Sequence, residues 1–277
     1  MNFWKAERTV YPPLFRILLG TILLIDAVFS ISVNGFIFDA NFNALYHQNS
    51  VLNFFRENHI VFQSIYIIFL LLFLIGIGGF WVKGIVFLFS VAFDFLEPTA
   101  LTWGDLILGF TLLYFIFADS SQHLSAGKKH RKSDLEKWIA KLAVFSIILN
   151  LFLVYVSNGY SKLTDSTWQE GYAVYFAFAQ FQNFENSFFH LLLKNEWISQ
   201  LTSYFIILIQ FLFPVWVMIR KTRIPIILIG IVLHLIMLWQ FGLWKFELIV
   251  ILLYGFLLND EEWRRILPRK FQKKYFS

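Results

Sequence analysis

The residues best suited to chemistry lie together, where a long apolar segment gives way to polar and aromatic residues. If a helix continues through this region, Tyr155, Gly159 and Lys162 lie on one of its faces. Gly159 would let another helix or a ligand approach closely. A lysine amine sheltered by apolar neighbours can lose its proton and act as a base or nucleophile. The simpler interpretation is that Lys162 extends to a membrane surface and that Trp168 anchors the chain there.

Other ionisable residues lie inside apolar segments, where they are costly unless they are paired or functional. Asp26 lies deep in the first segment. Pairing with a buried partner and a functional role explain it equally well. His234 is flanked by leucines, where a hydrogen bond between helices is the default interpretation and a functional role the alternative. We expect Arg16, near a segment end, to extend to lipid headgroups, and Glu247 to lie at the interface.

Three acidic residues flank a predicted turn between two short apolar segments. Asp94 and Glu97 share one helical face, and Asp105 follows after the turn. Together they could hold a cation or a proton, although a hydrated turn explains them as well.

None of the six histidines has the spacing of a zinc-binding HExxH motif, and phosphate-binding and dinucleotide-binding glycine motifs are missing too. We therefore predict no metal site, and the absence of cysteine excludes disulfides and thiol catalysis.

Composition identifies the class of protein in which these residues work. Of the 277 residues, 58% are hydrophobic and 15% are charged, whereas soluble domains contain about 45–50% apolar and about 25% charged residues. The apolar runs are continuous instead of alternating, which favours membrane-spanning helices. The sequence therefore predicts an all-α, polytopic transmembrane helix bundle. Its net charge of +5 is then a guide to topology and not a sign of nucleic-acid binding.

Eight apolar segments are candidates for membrane helices. They cover residues 14–38, 60–82, 84–96, 102–118, 138–157, 201–219, 224–239 and 246–258. The third and fourth are shorter than the roughly 20 residues of a full span, and Glu97 and Pro98 lie between them. Proline disfavours helix at the residue before it, so we favour a tight helical hairpin over one broken pair. No cleavable signal peptide is visible, so the first segment should remain as a membrane helix.

Lysine and arginine predict the orientation of about eight spans, because basic residues are retained on the cytoplasmic side. With both termini inside, every basic cluster is cytoplasmic; these clusters are Lys5 with Arg8, Lys83, and residues 128–137, 220–223 and 264–274. We predict a single transmembrane domain, 1–277, with a basic amphipathic tail, 259–277. For this tail we favour contact with anionic lipid over docking to a protein. The long outer loops, 39–59 and 160–200, are rich in aromatic residues, as in interfacial or re-entrant segments.

Motifs spread along the chain carry a family resemblance. They are Gly159-Tyr160-Ser161-Lys162-Leu163, Trp168-Gln169-Glu170-Gly171-Tyr172, Tyr175, Phe15-Arg16, Gly20, Asp26, Gly104-Asp105-Leu106, Gly109 and Leu233-His234. Taken in their order along the chain, they resemble the HTTM membrane domain over nearly the whole chain. That domain is shared by vitamin K-dependent gamma-glutamyl carboxylases and by bacterial proteins that include the SdpB-type factors of peptide-toxin systems. The compact size is most similar to the SdpB-type branch.

The resemblance implies roles for particular residues. In the carboxylases, a lysine at the position of Lys162 is the base that starts the oxygenation of vitamin K hydroquinone, so a reduced quinone is a cofactor that the resemblance allows. The carboxylase histidine assigned to carbon dioxide chemistry is missing, because the matching segment reads Trp103-Gly104-Asp105. We expect no large lumenal domain either, and glutamate carboxylation is not implied. The predicted catalytic residues are Lys162 and His234, and the predicted substrate-binding residues are Tyr155, Gly159, Trp168, Glu170, Asp105 and Asp26.

Three functions remain as hypotheses. The first is an SdpB-type factor in a bacterial plasma membrane that matures a secreted peptide toxin, with the peptide, a companion subunit and membrane lipids as partners. Its site would lie around Lys162, Trp168 and His234 and face outward. The second is a quinone-dependent, carboxylase-like enzyme with an apolar cavity beside Lys162. The third is a non-enzymatic transporter or immunity protein, suggested by interrupted helices and the acidic residues beside them.

Overall fold

Helices make up the regular secondary structure of the chain. The computed structural model describes residues 3–38, 50–96, 102–121, 123–127, 133–180, 188–270 and 272. The α-helices are α1 (Tyr11–Ile37), α2 (Ser50–Glu57), α3 (His59–Ile75), α4 (Gly79–Leu96), α5 (Trp103–Phe115), α6 (Asp134–Thr164), α7 (Ser166–Gln169), α8 (Ala173–Ala179), α9 (Phe188–Leu193), α10 (Glu196–Met218), α11 (Arg220–Phe241), α12 (Trp244–Leu253) and α13 (Asp260–Ile266). Short 3₁₀ turns form at Phe3–Lys5 and Tyr254–Leu257. The predicted all-α fold is confirmed, since the described residues include no strand.

Five of the described helices are long and apolar enough to cross a membrane. These spans are Tyr11–Gly35, Gly79–Leu96, Asp134–Thr164, Glu196–Met218 and Arg220–Phe241. Helices α2 and α3 would add a sixth if the pair, which is bent by 75°, is one broken span. The chain is therefore a multi-pass membrane protein. The count of about eight spans and the placement of both termini inside stay predictions.

The boundary between the second and third apolar segments was predicted wrongly. We expected one helix over 60–82 and another from residue 84, but the chain turns at Gly76 and Gly78, whose φ angles are +76° and +80°. Glycine adopts such angles without steric strain and commonly ends helices in this way. Lys83 therefore lies inside α4, where it is buried and its amine donates a hydrogen bond to the Ala118 carbonyl over 2.7 Å.

Helix α5 begins with a reciprocal cap. The Thr102 hydroxyl accepts a hydrogen bond from the backbone N–H of Asp105 over 3.4 Å, and the Asp105 carboxylate accepts one from the backbone N–H of Thr102 over 2.9 Å. Such a capping box satisfies backbone donors that the first helical turn leaves unpaired. Asp105 therefore has a structural role at this helix end. The predicted hairpin turn at Glu97 and Pro98 lies outside the described residues.

Residue contacts divide the chain into two compact units. The first unit comprises Met1–Phe3 and Leu149–Glu247, and the second comprises Trp4–Ile148 and Leu248–Ser277. The first unit contains the C-terminal half of α6 and helices α7 to α11. The second contains α1 to α5 and α13. The predicted single domain, 1–277, stays a prediction.

Arg16 is buried in the second unit, so the prediction that it extends to lipid headgroups is wrong. Its side chain is only 1% exposed, and its guanidinium donates to the carbonyl oxygens of Ser120 and Leu124. These carbonyls lie beyond the end of α5 in irregular backbone, where a buried carbonyl needs a partner from outside the helix. The guanidinium fork presents five donors, so one arginine can serve several carbonyls at once.

The beginning of the C-terminal tail is fastened to the second unit. The Asp260 carboxylate accepts hydrogen bonds from the backbone N–H groups of Thr9 and Val10 over 2.7 and 3.0 Å. Trp263 stacks on Tyr11 with 4.8 Å between ring centroids. The basic residues of the tail are exposed; those described are Arg264, Arg265, Arg269 and Lys270. The contact of this tail with anionic lipid stays a prediction, and residues 271 and 273–277 lie outside the described part.

Candidate functional site

Helix α6 extends into the region of predicted chemistry, since it ends only at Thr164. Tyr155, Gly159 and Lys162 therefore share one face of a helix, as the sequence predicted. The segment 160–200, predicted as an outer loop of interfacial or re-entrant character, contains α7, α8, α9 and the start of α10. Residues 181–187 lie outside the described part. These helices and α11 surround the candidate site, which belongs entirely to the first unit.

The backbones of α6 and α10 approach each other closely at Gly159. A Cβ atom on Gly159 would lie 2.8 Å from the backbone nitrogen of Phe211 and 2.9 Å from its Cα. Those atoms belong to a helix backbone and cannot rotate away. A small residue at such a position lets two membrane helices pack backbone to backbone. The predicted close approach at Gly159 is thus made by a helix.

The residues after α6 form a turn that is fastened to α10. Asp165 caps α7 by accepting hydrogen bonds from the backbone N–H groups of Thr167 and Trp168 over 2.9 and 3.2 Å.

Gly171 has a φ angle of +84°, a conformation that favours glycine. Its carbonyl accepts from the buried hydroxyls of Ser199 and Ser203 over 2.9 and 3.0 Å. This attachment fixes where α8 begins and therefore where its apolar side chains lie.

Three titratable side chains form a hydrogen-bonded chain in the interior of the first unit. The Tyr155 hydroxyl lies 2.8 Å from Nε2 of His234, and Nδ1 of His234 is bonded to the Glu247 carboxylate. Tyr155 and His234 are each 7% exposed and Glu247 is 1% exposed. Phe213 stacks on the Tyr155 ring with 4.1 Å between centroids, which holds the phenol in place. We call this arrangement the Tyr–His–Glu chain.

The Tyr–His–Glu chain can relay a proton. A carboxylate accepts but does not donate, so it favours the histidine tautomer with a proton on Nδ1. Nε2 of His234 is then the acceptor, and the Tyr155 hydroxyl donates to it. When Tyr155 takes a proton from another group, its own proton can pass to His234, and Glu247 stabilises the resulting imidazolium. The Glu247 carboxylate is buried against His234, a partner that the sequence did not indicate, and its position at the membrane interface stays a prediction.

A cavity of about 210 Å³ lies beside this chain. Most of its walls are aliphatic or aromatic; the lining residues are Tyr155, Val174, Phe178, Phe189, Leu192, Leu193, Ile198, Thr202, Ile206, Ile209, Gln210, Gly230, Leu233, His234, Ile236 and Met237. Among these described residues, Tyr155 and His234 are the titratable ones. The Thr202 hydroxyl donates to the Ile198 carbonyl within α10. The side-chain oxygen of Gln210 is buried and has no hydrogen-bond partner within the described part of the chain.

Lys162 and Trp168 meet at one edge of the site. The Lys162 amine lies 4.9 Å from the centre of the Trp168 ring, a distance at which a cation and an aromatic face attract. Trp168 also packs against the cluster formed by Val174, Phe178 and Leu193. Neither Lys162 nor Trp168 is among the described residues that line the cavity.

The other predicted site residues lie apart from the cavity walls. Glu170 follows α7 and is exposed. Asp26 on α1 and Asp105 on α5 belong to the second unit, and Asp105 caps its own helix. None of the three is among the described residues that line the cavity. The structure therefore brings together Tyr155 and His234, and it separately brings together Lys162 and Trp168.

The sequence predictions missed Gln210, and they assigned Glu247 to the membrane interface instead of to the site. Both carry a signal that could have found them, because a polar side chain inside an apolar helix is costly and needs a reason. Glu247 precedes an apolar run, and Gln210 lies between Ile209 and Phe211. What the sequence does not give is which helices face each other.

Comparison with known proteins finds no relative of this chain. No protein-family model, no curated protein and no solved structure matches the chain. Within the described residues, no group of three or more His, Asp or Glu side chains could hold a metal ion. The resemblance to the HTTM domain therefore depends on the sequence motifs alone.

Proposed function

We propose that this chain is an HTTM-type membrane protein of the SdpB-type branch, which acts in the maturation of a secreted peptide toxin at a bacterial plasma membrane. The motifs that carry the resemblance support this proposal. Two glycines of these motifs also have structural roles that support it. Gly159 sets the packing of α6 on α10, and Gly171 fastens the following turn to α10. The secreted peptide and a companion subunit are the proposed partners, and membrane lipids surround the chain.

The Tyr–His–Glu chain beside the apolar cavity is the observation that carries this function. Buried ionisable groups inside a membrane protein are expensive, and those that persist commonly move protons or bind ligands. We assign His234 as the proton acceptor, Tyr155 as the group that exchanges a proton with the bound molecule, and Glu247 as the group that orients His234. The chemical step is therefore a proton transfer at Tyr155.

Lys162 is the rival candidate for the base, since it occupies the position of the carboxylase lysine. Its amine rests on Trp168, at the edge of the site. A cation there suits contact with an acidic or carbonyl group of a peptide. We assign Lys162 to peptide contact and His234 to proton transfer.

Measuring mature peptide in the culture medium of the producing bacterium tests these assignments. His234→Gln should abolish mature peptide, and Lys162→Ala should lower it without abolishing it, while both proteins accumulate normally in the membrane. His190→Gln is the matched control, because His190 lies on α9 outside the cavity lining. If His234→Gln leaves peptide maturation unchanged at normal protein level, the proposed function of this site is wrong. If Lys162→Ala abolishes maturation while His234→Gln does not, the two roles are reversed.

A quinone-dependent enzyme is the second candidate, and the apolar cavity is the observation that favours it. Incubating the purified protein with reduced quinone, oxygen, bicarbonate and a peptide that contains glutamate tests this alternative. Carboxylated peptide or quinone epoxide would support it. Failure to form either product eliminates it.

A further inference from the structure

The cavity beside the Tyr–His–Glu chain is shaped for a small molecule. Its volume is about 210 Å³, and an apolar protein cavity of about 150 Å³ already holds benzene. A ring with a short substituent, or a chain of similar bulk, therefore fits. Ligand sites in proteins are commonly apolar with a few polar groups that fix orientation.

The walls exclude a charged ligand. Among the described lining residues there is no lysine, arginine, aspartate or glutamate to pair with an ion. An ion placed there would lose its hydration without gaining a counter-ion, which is strongly unfavourable. The Glu247 carboxylate behind His234 adds a further penalty for an anion. The ligand is therefore neutral.

Gln210 defines the polar part of that ligand. Its buried side-chain oxygen lacks a hydrogen-bond partner within the described residues, and leaving such a group unpaired is unfavourable. An amide also carries a donor, and its oxygen and nitrogen can be exchanged by a rotation. A hydroxyl both donates and accepts, so it satisfies the Gln210 amide in either orientation.

We propose that this cavity binds a neutral, lipophilic alcohol whose hydroxyl is held by Gln210 and whose apolar body fills the space between α8, α9, α10 and α11. Tyr155 and His234 line the same cavity. Binding of such a molecule does not depend on the role in peptide maturation. It would give the Tyr–His–Glu chain a group with which to exchange a proton.

Binding of two matched probes to the full-length protein in lipid nanodiscs tests this proposal. The probes are 4-(trifluoromethyl)benzyl alcohol and 4-(trifluoromethyl)toluene, which differ by the hydroxymethyl group, and ¹⁹F NMR reports their binding relative to empty nanodiscs of the same lipid. We expect the alcohol to bind about five- to tenfold more tightly than the hydrocarbon, as one neutral hydrogen bond predicts. Gln210→Leu should remove this preference, and Ile206→Phe, which fills the cavity, should remove binding of both probes. Gln240→Leu on α11, outside the lining residues, is the control and should behave as wild type.

The comparison of the two probes on the wild-type protein decides the outcome even if a variant fails to fold. Equal affinity for the two probes overturns the proposal. So does absence of binding, which would mean that the cavity is closed to such ligands or filled by a lipid chain. Retention of the alcohol preference in Gln210→Leu would overturn the assignment of Gln210. Equal affinity of the wild-type protein for the two probes, together with loss of peptide maturation in His234→Gln, would leave the proposed function standing while this inference fails.

Discussion

The two units both bury polar and ionisable side chains, and they surround them differently. In the second unit, Arg16 and Lys83 donate directly to backbone carbonyls of the chain that follows α5. In the first unit, the Tyr–His–Glu chain borders a cavity of about 210 Å³. The terminal nitrogens of these two buried cations are bonded to backbone carbonyls, which gives the cations a structural task. The Tyr–His–Glu chain lies beside a cavity and can still contact a ligand.

This difference predicts how each region responds to substitution. Removal of a carbonyl-binding cation leaves buried acceptors unpaired and should reduce stability. Removal of a group beside the cavity should reduce function more than stability, because the space nearby can admit a water molecule. The four substitutions below test this contrast, from the largest expected loss of stability to the smallest.

Arg16→Met should have the largest effect. It removes the donors to Ser120 and Leu124 from a buried site, and hydrogen bonds from a charged group contribute about 1.5–3 kcal/mol each, so we expect a loss of about 3–5 kcal/mol. Thermal unfolding of the purified protein in detergent measures it. Arg264→Met, at an exposed position on α13, is the control and should change the melting temperature little. A melting temperature for Arg16→Met equal to that of the control would contradict a structural role for this cation.

Glu247→Leu should have the next largest effect. It leaves Nδ1 of the buried His234 without its acceptor, and we expect a loss of about 2–3 kcal/mol. Glu196→Leu is the matched control, because Glu196 is exposed in the first turn of α10. Thermal unfolding compares the two. If Glu247→Leu stabilises the protein relative to wild type, the carboxylate is retained for function alone, and the contrast between the units becomes sharper.

The fold could be predicted from the sequence to the extent that it depends on local pattern. Continuous apolar runs indicate helices wherever they occur, and every predicted segment overlaps a helix. The turn at Gly76 was missed because the surrounding residues are so uniformly apolar that two helices look like one. The burial of Arg16 was missed for another reason, since its partners, Ser120 and Leu124, lie far along the chain.

The site could be predicted only in part, for the same physical reason. His234 was chosen as a histidine inside an apolar segment and Tyr155 because it shares a helical face with Lys162. The sequence does not show that the two side chains are 2.8 Å apart. Lys162 was expected to be central because of the family resemblance, whereas its amine lies over Trp168 outside the described lining. Asp105 was a candidate by charge, and the cap on α5 now accounts for it.

Gly159→Ala should have the third effect, and it tests the packing that supports the first unit. The added methyl group would press on the Phe211 backbone, and forcing extra volume into a packed contact costs about 1–3 kcal/mol. Gly84→Ala on α4 is the matched control, because nothing lies within 4 Å of a Cβ at that position. Thermal unfolding should show a lower melting temperature for Gly159→Ala than for wild type, and no decrease in the melting temperature for Gly84→Ala. Equal behaviour of the two variants would mean that α6 and α10 are not in backbone contact.

Tyr155→Phe should affect stability least and is the sharpest test of the contrast. It removes only the hydroxyl that donates to His234, so we expect a loss of about 1 kcal/mol or less, the net contribution of one neutral hydrogen bond. Tyr204→Phe is the matched control, because the Tyr204 hydroxyl also donates one hydrogen bond, to the Gln169 carbonyl over 2.7 Å, yet Tyr204 is not among the described lining residues. The two variants should unfold at similar temperatures, while only Tyr155→Phe should lose mature peptide in the medium. Similar peptide levels from both variants would mean that the cavity-facing hydroxyl is as structural as the carbonyl-bound cations of the second unit.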